Sequence, residues 1–196
     1  MYIPSQMADF ITYFSDRKDG FDAADFEKFG LQVEYKHFKK GEYLIRQGEQ
    51  ASKLFFLSTG LVRYMSISVD GKEFTQSFAT APGIAGSTRA MTMETEALFS
   101  IEVLEDVVCL QTDWKIFFER MQVEPGFLQT YNGLLEWMFI KKEEREYSLL
   151  QQSAEQRYLN FIHNNPQLQD KLSLKVIASH IGITAIALSR IRKKLK

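Results

Sequence analysis

Between residues 31 and 111 the side chains repeatedly alternate with a period of two, and glycine-bearing turn signals break the alternation every few residues. Leu31, Val33 and Tyr35 alternate with Gln32, Glu34 and Lys36, which is the pattern of a half-buried strand. Further short strands are expected at 43–46, 54–59, 61–68, 73–79, 98–104 and 107–111. The turns between them are read at Lys40-Gly41, Gln47-Gly48-Glu49, Gly60 and Asp70-Gly71. Asp-Gly flanked by alternating runs is a strong hairpin signal. Many short strands closed by glycine turns point to a barrel or jelly-roll.

Helices bracket this region. Segments 5–14 and 22–29 place apolar residues at helical spacing and read as packing helices. Asp113 caps a helix over DWKIFFERM, and Glu124-Pro125-Gly126 breaks it. From Phe127 to about residue 151 only Gly133 interrupts, so one long helix is expected. Leu128, Tyr131, Leu135 and Met138 follow at steps of three, four and three, an a/d seam suited to a second copy of the chain. Leu134, Trp137 and Phe139 would then face the chain's own roll.

The last stretch, LSLKVIASHIGITAIALSRIRKKLK, reads as two short helices hinged at Gly182. Ser173 caps the first, whose apolar face is Leu174, Ile177, Ala178 and Ile181. Thr184 caps the second, whose buried stripe is Leu188, Ile191 and Leu195. The other side of that helix carries Ile186, Ser189, Arg190 and Lys193, flanked by Arg192, Lys194 and Lys196. A cationic helix packed steeply on a short partner suits the DNA major groove.

Composition separates the jobs. The net charge of −1 hides an asymmetry: from Ser153 onward there are eight Lys and Arg against two Asp and Glu, and sixteen against twenty-three before it. The basic end is the candidate for phosphates. With 45% hydrophobic residues and 16 Phe, the chain is a folded one. The single cysteine, Cys109, excludes a disulfide within the chain and is read as a small buried hydrophobe. No basic segment followed by an apolar run stands at the N-terminus and no stretch approaches membrane-span length, so a soluble, cytoplasmic chain is expected.

The helix pair IASHIGIT…LSRIRKKL resembles that of the CRP/FNR family of bacterial transcription regulators, especially members ending soon after this helix without a long wing. The stretch FKKGEYLIRQGEQASKLFFLSTGLVRYM is similar to the start of the same family's cyclic-nucleotide-binding β-roll, through Gly41, Gly48, Glu49, Phe55 and Gly60. The resemblance implies an α+β chain: a double-stranded β-roll (jelly-roll) over 1–125, a long dimerisation helix over 126–152 and a helix-turn-helix domain over 153–196. Its implied partners are double-stranded DNA and a second copy of the chain, with RNA polymerase a further candidate. The implied DNA-binding residues are Thr184, Ala185, Ile186, Ser189, Arg190, Arg192, Lys193 and Lys196. The family presents an Arg, a Glu and a further Arg to the bases; here those positions hold Ala185, Ile186 and Arg190. Arg190 can donate twice to a guanine edge, and Ile186 can meet thymine methyls.

The family's nucleotide pocket uses a Gly-Glu start and an Arg-Ser or Arg-Thr pair. Here Ser87 follows Gly86, and Ala97-Leu98 stands about where the pair belongs, so a cyclic nucleotide is not expected. Gly86, Ser87, Arg89 and Met91 remain the candidate lining for an unidentified effector. No cofactor is expected. The three histidines, His37, His163 and His180, are far apart in sequence, so no metal site is expected either, and His180 is read as surface or phosphate-facing. The competing reading is a cupin-like or small-molecule-binding barrel with an incidental basic tail; the lack of clustered histidines and carboxylates argues against it.

Overall fold

The computed structural model describes residues 5–17 and 20–195. They form two compact units. One holds the described residues up to Ser66 together with Ser77–Glu136; the other holds Ile67–Gln76 and the chain from Trp137 onward.

The first unit is the roll. Its strands are β1 (Glu34–Phe38), β2 (Tyr43–Ile45), β3 (Lys53–Ile67), β4 (Glu73–Thr80), β5 (Gly83–Ala85) and β6 (Ser100–Asp113), with the tip of the β3–β4 hairpin assigned to the other unit. The path runs β1-β6-β3-β4, with β2 also on β6 and β5 on β3. Strand β6 organises it. Its C-terminal half pairs antiparallel with β1, its N-terminal end with β2, and β3 runs along its whole length. Inside lies an apolar cluster that includes Ile45, Phe55, Leu57, Val62, Ile101, Val103 and Cys109. Cys109 is fully buried, and that burial pushes its thiol up to about 12.

Two sequence expectations change here. Segments 54–59 and 61–68 are one strand, as are 98–104 and 107–111. Gly60 does not turn the chain back. With φ of +98° it sits among register shifts between Leu57 and Val62, a bulge that lets β3 bend and continue. A Cβ there would stand 2.5 Å from the Asp106 carbonyl oxygen, so only glycine fits. Strand β1 also begins later than the alternation at Leu31 indicated, at Glu34.

Beside the roll pack helices α1 (Ser5–Phe14), α2 (Ala24–Glu27), α3 (Thr88–Met93) and α4 (Trp114–Met121). Helix α2 is shorter than the 22–29 segment expected. Asp113 caps α4, its carboxylate accepting from Lys115 N at 3.0 Å. Phe14 is the hub of a second core, in ring contact with Phe10, Phe26, Phe56, Phe117 and Phe127. Helix α5 (Phe127–Gln151) is the long helix expected. Among the described residues no single helix is long and apolar enough to cross a membrane.

Candidate nucleic-acid interface

The terminal helices are built from local signals. Ser153 caps α6 (Ala154–Asn164) in a reciprocal box with Gln156, and a 3-10 turn at Pro166–Leu168 follows. Ser173 caps α7 (Leu174–Ile181), its hydroxyl accepting from Val176 N at 3.3 Å. Gly182 ends α7 at φ 76° and ψ 33°, a left-handed cap that lets its N–H return to the Ala178 carbonyl. Thr184 caps α8 (Ala185–Lys194), accepting from Ala187 N at 3.2 Å. The axes of α7 and α8 bend by 95°, the crossing of a helix-turn-helix. Ile177, Ala178, Ile181 and Leu188 are buried at its centre, with Tyr158, Phe161, Leu168 and Leu172.

The C-terminal end of α7 is held by two guanidinium groups that sequence reasoning missed. Arg145, from α5, donates through Nη2 to the His180 carbonyl at 2.9 Å and to the Thr75 carbonyl at 2.8 Å. Arg157, from α6, donates through Nε to the Ile181 carbonyl at 2.8 Å and through Nη1 to Gln152 O at 2.5 Å. Cations at this end offset the helix dipole and satisfy carbonyls the helix leaves unpaired. In the same unit the Thr75 and Ser179 hydroxyls are 2.7 Å apart, and Lys175 meets Glu73 at 2.6 Å. These contacts join the hairpin tip to α7.

His180 corrects an expectation. It is not phosphate-facing: its ring packs against Phe161 with centroids 5.4 Å apart. Burial first, and the Arg145 charge second, push its pKa down to about 3, so it is neutral near pH 7.

The outward face of α8 carries Ile186, Ser189, Arg190 and Lys193, all exposed or half-buried and directed away from Leu188. The side chains of Ser189, Arg190 and Lys193 make no hydrogen bond or ion pair among the described residues. Other predicted contacts sit differently. Thr184 spends its hydroxyl on the cap, Ala185 and Arg192 are half-buried, and Lys194 is held by Glu155 at 2.8 Å. Leu195, expected in the buried stripe, is 42% exposed as the residue just past the helix end. Lys196 lies outside the described residues.

The effector lining expected at Gly86, Ser87, Arg89 and Met91 does not come together as a pocket. Ser87 is the buried N-cap of α3, and Met91 is buried with its Sδ and Cε against Gly86. Gly86 N donates to the Tyr64 hydroxyl at 3.4 Å, and burial holds that phenol up at about 12. Arg89 alone reaches open space. Its Nη1 donates to Glu96 O at 3.0 Å, and it lines an open cleft of about 260 Å³ with Gln47, Gly48 and Thr95 through Leu98. Within the roll Arg63 is buried and paired with Glu102 directly across β6. Among the described residues no three His, Cys, Asp or Glu side chains gather as a metal site.

The seam splits. Tyr131 turns into its own chain, with ring centroids 5.7 Å from both Phe127 and Trp114 and 5.6 Å from Phe118. Leu134 is buried as expected, whereas Phe139, expected to face the roll, is 64% exposed. Leu128 is 45% exposed, and Leu135 and Met138 are half-buried. At about 100° per residue, Leu128, Leu135, Phe139 and Leu150 fall within about 60° of one another on α5.

The cyclic nucleotide-binding domain family matches residues 35–124. The "Anaerobic regulatory protein" of Bacillus subtilis (strain 168) is 28% identical over 106 residues, covering 54% of this chain and 41% of that relative. The chain thus matches less than half the length of that relative. Among solved structures, FixK2 from Bradyrhizobium japonicum superposes with a TM-score of 0.73 at 16% identity, over 84% of this chain and 85% of its own. The c-di-GMP responsive global regulator CLP of Xanthomonas campestris gives 0.75 at 14% identity, over 89% and 91%. A crp/fnr-family regulator from Eubacterium rectale gives 0.70 at 16% identity, over 89% and 83%. Residues 35–124 thus match the cyclic nucleotide-binding domain family, and the chain shares the fold of these solved regulator structures.

Proposed function

We propose that the chain acts as a homodimer that binds DNA sequence-specifically, with α8 in the major groove. The observation that carries this reading is the outward face of α8. Arg190 and Lys193 are exposed cations without partners among the described residues, on a capped helix set at 95° to α7. A planar guanidinium there matches the O6 and N7 acceptors of guanine, and lysine matches phosphate. One such helix makes few contacts, so two copies on paired half-sites are the arrangement in which it can specify a site. The partly exposed stripe of Leu128, Leu135 and Phe139 on α5 supports an isologous pairing of two chains.

Cyclic AMP is not the effector in this reading. Ser87 stands where a ribose-binding glutamate is needed and is already used as a helix cap. Ala97 is buried and Leu98 is exposed about where the phosphate-binding Arg-Ser or Arg-Thr pair is needed, and neither side chain can bond a phosphate.

The test is operator selection from random duplexes, followed by binding of Arg190→Ala to the selected site. The variant should lose about 1–3 kcal/mol per half-site while its affinity for random DNA stays salt-dependent. Undiminished discrimination between operator and random DNA would remove Arg190 from the interface.

A further inference from the structure

The outward face of α8 is not uniformly polar. Ile186 is 69% exposed, one turn ahead of Arg190, while Leu188 on the opposite side is fully buried. At about 100° per residue, Ile186, Arg190 and Lys193 lie within about 60° of one another, so all three address the same surface. Helix α8, AIALSRIRKK, holds no acidic residue, so its face offers no carboxylate to accept from cytosine N4. Ser189 is its only hydroxyl within the helix, and a hydroxyl donates or accepts without distinguishing among bases.

An aliphatic side chain on a face bordered by two cations meets a polar, anionic partner with nothing to donate or accept. The major groove displays one apolar group, the 5-methyl of thymine. We propose that Ile186 is a methyl reader: it selects a pyrimidine by its 5-methyl group, next to the guanine taken by Arg190. This rests on the DNA-binding reading above and deepens it. Four residues of helix advance about 6 Å, close to two base-pair steps of about 3.4 Å, so the methyl and the guanine lie about two base pairs apart. Thymine and 5-methylcytosine carry the same group at C5. The site therefore accepts either in place of the other more readily than it accepts uracil or cytosine.

The test uses the full chain and an operator selected from random duplexes. Each thymine of a half-site is replaced in turn by deoxyuridine, which removes the methyl and keeps the base pair. One replacement, about two base pairs from the guanine that Arg190→Ala ceases to distinguish, should weaken binding about fourfold per half-site, the worth of one buried methyl. At that position 5-methylcytosine should bind more tightly than cytosine. Ile186→Ala should bind the thymine and deoxyuridine operators equally, and Ile186→Val should recover part of the difference. If deoxyuridine is tolerated at every position, or Ile186→Ala still distinguishes it, the methyl reading is overturned while guanine dependence keeps the DNA reading intact. If no sequence is enriched at all, both readings fall together.

Discussion

Mild acid should loosen the helix-turn-helix unit, and His180 sets the window. Its ring lies against Phe161, and Arg145, which donates to the His180 carbonyl, adds an unfavourable charge to the burial. The folded pKa is about 3, against about 6.5 for a histidine in the unfolded chain. Between those values the unfolded state binds one proton that the folded state does not, so stability rises with pH. On acidification it is lost from about pH 6.5 downward, at no more than about 1.4 kcal/mol per pH unit. From pH 6.5 to 5 the ceiling is about 2 kcal/mol, a large share of what holds a small domain together. Urea unfolding at half-unit pH steps, followed by a probe in the C-terminal unit, measures this slope. His180→Gln, which cannot take up a proton, should flatten it. An unchanged slope in His180→Gln, or a His180 ring resonance titrating near pH 6.5 in the folded protein, would refute the reasoning.

Replacing both Leu135 and Phe139 with Glu should give monomers in sedimentation, because it puts charge on the partly exposed stripe of α5; a dimer of undiminished stability would take the stripe out of the interface. Gly60→Ala should destabilise the roll by more than about 1 kcal/mol, since its Cβ would press on the Asp106 carbonyl from a left-handed backbone. A wild-type urea midpoint would mean that β3 does not bulge there. Millimolar cyclic AMP should leave the Tm unchanged, and a saturable upward shift would overturn the reading of Ser87, Ala97 and Leu98.

The helices were largely legible because their ends are written locally. Asp113, Ser153, Ser173 and Thr184 each cap within three residues, and Gly182 breaks the chain where α7 stops. The strands were legible in place but not in connection. Turns and bulges both call for positive φ, so Gly60 reads alike in either role until the partner strand β6 is known. The face of α5 was ambiguous for a different reason. Between Leu128 and Ile140 apolar residues occur on every side, and the aromatic cluster around Phe127 decided that Tyr131 turns inward. Arg145 and Arg157 carry no signal at all in sequence, because the α7 carbonyls they bind lie 24 or more residues away. His180 looked like a surface residue because its polarity is visible in sequence and its cover is not.

The two guanidinium groups at the end of α7 make a stiff joint out of very little material. Arg157 bonds through two nitrogens of one rigid plane, Nε and Nη1, so it resists rotation as well as separation, which a lysine there would not, while Arg145 ties two carbonyls together through one nitrogen. Arg145 and Arg157 take the carbonyls of His180 and Ile181, the last two residues of α7 before Gly182. The bearing of α8 is thus set where α7 ends, by bonds to main-chain oxygens and not to side chains.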